Sequence, residues 1–120
     1  MKIRTIALAL VLTSVAGGLA PALADDSDVA TLTVKSATNA RHTQTIRYDD
    51  IDLSKVKGAK IMLWRIKNAA EAVCENPAGA DLSGLAQHRD CVRDTVNQTV
   101  AALNSPVVTA VNSGTQPPVT

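Results

Sequence analysis

Two cysteines, two histidines and a knot of carboxylates are the residues of this 120-residue chain that could do chemistry. Cys74, His88 and Cys91 carry zinc-ligand side chains, and His88 and Cys91 stand three apart on one helical face. A fourth ligand would have to come from His42 or from a distant carboxylate. Tyr48, Asp49, Asp50 and Asp52 form the densest acidic group and could hold a hard cation or a small molecule, or serve acid/base work. Neither the glycine of a calcium loop nor a bidentate Glu at the expected spacing accompanies them, so solubilising a loop and capping a helix is their simpler use. Ser83, His88 and Asp90 are the residue types of a hydrolase triad, but Asp90 is two from His88 and points away from it on a helix. No Gly-x-Ser-x-Gly elbow is present, and no Cys-x-x-Cys pair sits at a helix N-terminus to lower a thiolate pKa. These residues assign no catalytic role, no metal and no cofactor, and the chain is read as a non-enzyme.

The compartment decides what the cysteines do. Lys2 and Arg4, an apolar run over residues 6–16, and Ala22-Leu23-Ala24 have the order of a secretory signal peptide cleaved after Ala24. The apolar run is well short of the roughly 20 residues that span a bilayer, and no second long run follows, so no membrane span is expected after cleavage. No cysteine adjoins the cleavage point to carry a lipid anchor. In an oxidising compartment two cysteines point to one disulfide, Cys74 to Cys91, with His88 as a packed neighbour rather than a ligand. The two are 17 positions apart, and closing a loop of that size removes roughly 3 kcal/mol of unfolded-chain entropy.

Charge and composition narrow the function further. The 12 basic and 11 acidic groups give a net +1, which becomes −1 once Lys2 and Arg4 are lost. That balance argues against a nucleic-acid partner, which needs clustered positive charge. With no Phe, one Trp and one Tyr, a core of Val, Leu, Ile and Ala is all that a single small domain can build, and a covalent staple suits it.

Several elements must position these residues. Residues 25–28 form a flexible acidic leader. From 30 to 34 small or apolar residues alternate with Thr31 and Thr33, a period of two that turns Leu32 and Val34 inward. A polar stretch, 35–44, leads to a second alternating run with Ile46 and Tyr48 on one face and Thr45 and Arg47 on the other. The pair reads as an antiparallel hairpin of unreadable register, because no Asn-Gly or Asp-Gly marks a tight turn. Asp52 or Ser54 is the expected cap of a first helix, whose apolar face is Ala59, Met62, Leu63, Ile66, Ala69, Ala70 and Val73. Lys60, Arg65, Lys67 and Glu71 fall outside that stripe and are expected in solvent, with Lys67 and Glu71 forming a weak pair. Trp64 either rims the stripe or sits exposed, where it would favour a contact surface, and packing at the hairpin is the commoner outcome.

Pro77 is expected to stop the helix, with a loop over 78–84. Asp81 or Ser83 caps a second helix whose inward positions read Leu85, His88, Cys91, Val92, Thr95, Val96, Thr99, Ala102 and Leu103. The short loop makes the two helices antiparallel neighbours. Ser105 and Pro106 could start a further turn through Val108, Ala110 and Val111, and 113–120 reads as a disordered tail. Asn97-Gln98-Thr99 fits a glycosylation pattern by chance, lying mid-helix.

The exported leader, Ile46-Arg47-Tyr48-Asp49-Asp50, Asp52-Leu53-Ser54, a Gly58-containing helix ending Ala69-Ala70-Glu71-Ala72-Val73-Cys74, and Cys91-Val92 before Asn104-Ser105-Pro106 together resemble the UrcA family. The resemblance covers roughly residues 29–111. It implies a small exported proteobacterial protein with a disulfide, and it carries no activity and no catalytic residue to any position here.

The expected architecture is α+β: a short antiparallel β-hairpin packed on a disulfide-linked antiparallel helix pair, a single domain over 29–112. The expected function is that of a periplasmic or secreted interaction or structural module, whose partner is another envelope protein or a second copy. The alternative is a small-molecule or metal-binding protein using the corner of Tyr48, Asp49, Asp50 and Asp52.

Overall fold

Two short strands precede three helices in the computed structural model, described over residues 29–76 and 79–117: β1 (Thr31–Lys35), β2 (Thr43–Arg47), α1 (Val56–Val73), α2 (Leu82–Leu103) and α3 (Pro106–Ser113). The expected signal peptide, its cleavage point, the acidic leader and Pro77 lie outside the described residues.

The period of two in the strands does what alternation requires. β1 and β2 pair antiparallel, with Leu32 opposite Ile46 and Val34 opposite Gln44. Val34 and Ile46 are buried, while Leu32 and Tyr48 pack at the edge of the same cluster. A wide polar turn sets the register. The Ser36 amide donates to the His42 carbonyl at 2.9 Å, the His42 amide donates to the Asn39 carbonyl at 2.9 Å, and the Ser36 hydroxyl accepts from the Asn39 amide at 3.2 Å.

α1 buries all seven apolar positions of the expected stripe, and Gly58 with them. Its start differs from expectation. The N-cap is Lys55, with no side-chain cap bond. Asp52 instead closes its own turn: its Oδ1 accepts from the Ser54 amide at 2.9 Å and from the Ser54 hydroxyl, and its carbonyl accepts from the Lys55 amide at 3.2 Å. The reason is Gly58. With no Cβ there, the Asp52 carbonyl lies where a side-chain carbon would stand, so the turn is laid flat on α1 rather than placed over its end. Trp64, for which packing at the hairpin is the commoner outcome, is 64% exposed. Its neighbour Leu63 faces inward, and 100° of helical rotation carries Trp64 to the outside.

α2 begins at the expected cap, Asp81, whose carboxylate accepts from the Gly84 amide at 2.9 Å. Its buried face starts later than expected and ends on a different side. Leu85 is 37% exposed and Ala102 is also exposed, whereas Val100 is buried. α3 is the cause of the second difference: it packs on α1 and touches α2, so the apolar cover at that end falls on Val96 and Val100, which share a cluster with Val107 and Val108. Asn104, in the left-handed region with φ 53°, turns the chain between the helices, and Ser105 caps α3 by accepting from the Val108 amide. The tail begins later than residue 113. Ser113 is the last residue of α3, Gly114 caps it at φ 72°, and the Thr115 amide donates to the Ala110 carbonyl at 2.9 Å. Residues 118–120 are outside the described part.

The disulfide joins Cys74 to Cys91 with the α-carbons 5.9 Å apart. Cys74 is the C-cap of α1, and both cysteines are buried. Hairpin hydroxyls close over the bridge: Ser36 Oγ and Thr38 Oγ1 lie 3.5 and 3.3 Å from Cys91 Sγ. Beside it, fully buried Thr95 accepts from the Ala37 amide at 2.9 Å. One covalent bond thus fastens the end of α1 to α2 beneath the β1–β2 turn.

Candidate functional site

The acidic corner is built where β2 leaves the sheet. The Tyr48 amide donates to the Ala30 carbonyl at 2.9 Å, continuing the ladder one residue past the strand, and the Ile51 amide turns back to the Tyr48 carbonyl. Tyr48 itself packs against the core cluster. Asp49, Asp50 and Asp52 follow on this bend, and each meets a different partner within the chain.

Asp50 takes the strongest. Arg65 reaches it with both terminal nitrogens, Nη1 to Oδ1 at 2.7 Å and Nη2 to Oδ2 at 2.6 Å, and Nη1 also donates to the Arg47 carbonyl at 2.7 Å. Such fork-on-fork pairing fixes geometry as well as charge. Arg65, expected in solvent, therefore ties the exit of β2 to the middle of α1. Hydrogen bonding by the guanidinium holds the Asp50 carboxyl down to about 2, from an ordinary 3.8. Asp52 is also lowered, first by the Ser54 hydroxyl and then by the Ser54 amide. Asp49 lies 3.4 Å from the Arg47 guanidinium.

A pH dependence follows with a definite sign. Because the Asp50 carboxyl is lower in the folded chain than in the unfolded one, its contribution is complete above about 3.8 and is lost as pH falls through about 2. Thermal melts followed by circular dichroism are expected to show Asp50→Asn below the parent at pH 7. The gap should close as the solution is acidified to pH 2. A gap independent of pH would contradict the ion pair.

His42, the candidate fourth zinc ligand, stands just before β2, at the end of the strand away from the corner and about 20 Å from Tyr48 at strand rise. There it faces Glu75 at 3.7 Å and Asn39 at 3.4 Å. Among the described residues no group of three or more His, Cys, Asp or Glu side chains comes together to hold a metal ion. The zinc trio is dispersed by bonding: both cysteines are in the disulfide. His88 spans the helix pair, with Nε2 2.8 Å from the Glu71 carboxylate and Nδ1 3.1 Å from the Glu75 carbonyl. Glu71 therefore pairs across the helices with His88 rather than along α1 with Lys67. Asp90 pairs with Arg93 at 2.9 Å, not with His88.

The contacts that sequence reasoning missed, Asp50 with Arg65 and Glu71 with His88, are between residues 15 and 17 positions apart. No local pattern announces them. A groove of about 380 Å³ opens beside the second pair, lined by Glu71, His88, Arg89, Arg93, Val96 and Asn112 among others.

No family model matches the chain, and no solved structure matches it. Among curated proteins, a chloroplastic acyl-(acyl-carrier-protein) hydrolase of Cuphea viscosissima is 31% identical over 86 residues, which cover 71% of this chain and 21% of that protein. The chain thus spans about a fifth of the length of the curated relative it matches.

Proposed function

We propose that this chain is a small exported protein of the cell envelope or its surroundings, acting as an interaction or structural module rather than as an enzyme. The observation that carries this reading is the buried Cys74–Cys91 bridge, which fastens the end of α1 to α2 and lies against the β1–β2 turn. A structural disulfide of this kind persists in oxidising compartments. The leader of Lys2, Arg4, the apolar run and Ala22-Leu23-Ala24 agrees with it, as does the resemblance to the UrcA family. None of the described helices is long and apolar enough to cross a membrane.

The second reading, a ligand or metal site at Tyr48, Asp49, Asp50 and Asp52, meets a physical obstacle. Each carboxylate is already engaged, and a cation entering the corner would have to displace Arg65 from Asp50. An acyl-thioester hydrolase is a third reading, motivated by the 31% identity to the Cuphea protein. A cysteine nucleophile is missing from it, since the disulfide consumes both thiols.

The test is capture from an envelope extract with the purified protein, alongside sedimentation for self-association and an acyl-thioester hydrolysis assay. A saturable partner or a saturable self-association is expected, with hydrolysis no faster than buffer. Turnover of the thioester, or the absence of any saturable association, would overturn the proposal.

A further inference from the structure

We propose that the outer face of α1 docks on an anionic lipid surface. The inference rests on the envelope reading above and names the partner of that module.

α1 is two-faced at helical spacing. Its core stripe centres on Ala59, Met62 and Ile66; on the far side stand Lys57, Lys60 and Trp64, and Lys67 continues the row at the rim of the groove towards α2. Trp64 is 64% exposed at the crest, and Val56 is 43% exposed on the flank. An indole held in water is unfavourable unless something covers it, and indole rings settle at the headgroup level of bilayers.

The charge of this ridge is one-sided. Lys57, Lys60 and Lys67 are all exposed and take part in none of the ion pairs among the described residues. Glu71, the single acid of α1, lies on the same side as Lys67 and is 60% exposed, with its charge shared with His88 at 2.8 Å. Arg65, the single arginine of α1, is spent on Asp50.

The unpaired charges left outside are lysines, and they flank an exposed tryptophan, a pairing that favours lipid over protein. Protein interfaces are enriched in arginine and depleted in lysine. Lysines are compact charges without a preferred fork geometry, their stems lie along apolar surface, and they are drawn to anionic headgroups in any lateral arrangement. A convex ridge also suits a plane of headgroups, since a docked peptide would need a groove.

The chain carries its own reporter, because Trp64 is its one tryptophan. Protein purified from the producing cell is titrated with vesicles of phosphatidylglycerol and phosphatidylcholine, and with phosphatidylcholine alone. Trp64 emission is expected to shift to the blue and resist aqueous quenchers with the anionic vesicles only, and the shift should be reversed by high salt.

Replacing Lys57, Lys60 and Lys67 by Gln is expected to weaken partitioning about fivefold per lysine, roughly a hundredfold together, with an unchanged circular dichroism spectrum. Trp64→Ala, scored by co-sedimentation, should weaken binding without changing its salt dependence. Emission unmoved at any anionic lipid content overturns the inference, as does binding that survives the triple substitution. Capture of an acidic protein through this face, without vesicle binding, also overturns it while leaving the envelope reading standing.

Discussion

Gly58→Ala is expected to destabilise the domain by about 3 kcal/mol or more, although the same exchange inside an exposed helix stabilises by about 1 kcal/mol. A Cβ built at Gly58 falls on the carbonyl of Asp52, well inside van der Waals contact, and the carbon and nitrogen of the same residue lie close behind. The obstacle is backbone, so no side chain can swing away. Relief would require lifting the whole turn of Asp52, Ser54 and Lys55 from α1, which would also draw Asp50 away from Arg65. Urea denaturation measures the effect, with Asn68→Ala, an exposed position on the same helix, as the control. Equal or greater stability of Gly58→Ala would mean that this turn does not lie on the helix.

Replacing both cysteines by Ala is expected to lower stability by roughly 2 to 4 kcal/mol, the usual range for a bridge closing a loop of this size. Small domains hold only about 5 to 15 kcal/mol in total, so the loss would bring this one near its threshold. The effect should not be confined to the helices. Cys91 Sγ lies against the hydroxyls of Ser36 and Thr38, and the Ala37 amide depends on Thr95 beside the bridge. Hydrogen exchange in the double variant is therefore expected to rise first in the β1–β2 turn and at the end of α1. A uniform rise throughout would place the weakness elsewhere.

How much of the fold is legible in the sequence follows from the range over which each signal acts. The inward turn of Leu32, Val34 and Ile46 and the stripe of α1 are periodic patterns, and a period needs only its own element to be read. The pairing of Cys74 with Cys91 needed only the compartment and a count of two. Strand register was hidden because residues 36–42 form a turn held by Ser36 and Asn39 rather than by a two-residue signature. Trp64 is hard to place from sequence because it lies one residue from inward Leu63, and only the rotation between neighbours on a helix carries it outside.

The corner was half legible. Three short carboxylates at a strand exit do mark a bend, but which of them turns the chain depends on Gly58 lying beneath Asp52. The partner of Asp50 depends on the reach of Arg65 across a tertiary contact. The same holds for His88, whose ring meets Glu71 only once the helices are side by side. Ala102 lost its inward place to Val100 because α3 covers one end of the helix pair, and Leu85 is exposed because α1 ends opposite Cys91; nothing within α2 encodes either.

An exported domain held by a buried bridge is tested most directly by counting thiols in protein recovered from the cell envelope without reductant. The expected result is a mass two hydrogens below that of the reduced chain, with the N-terminus at Asp25 and no reaction with a thiol reagent even after denaturation. Two free thiols in that preparation would contradict both the bridge and the compartment inferred from it.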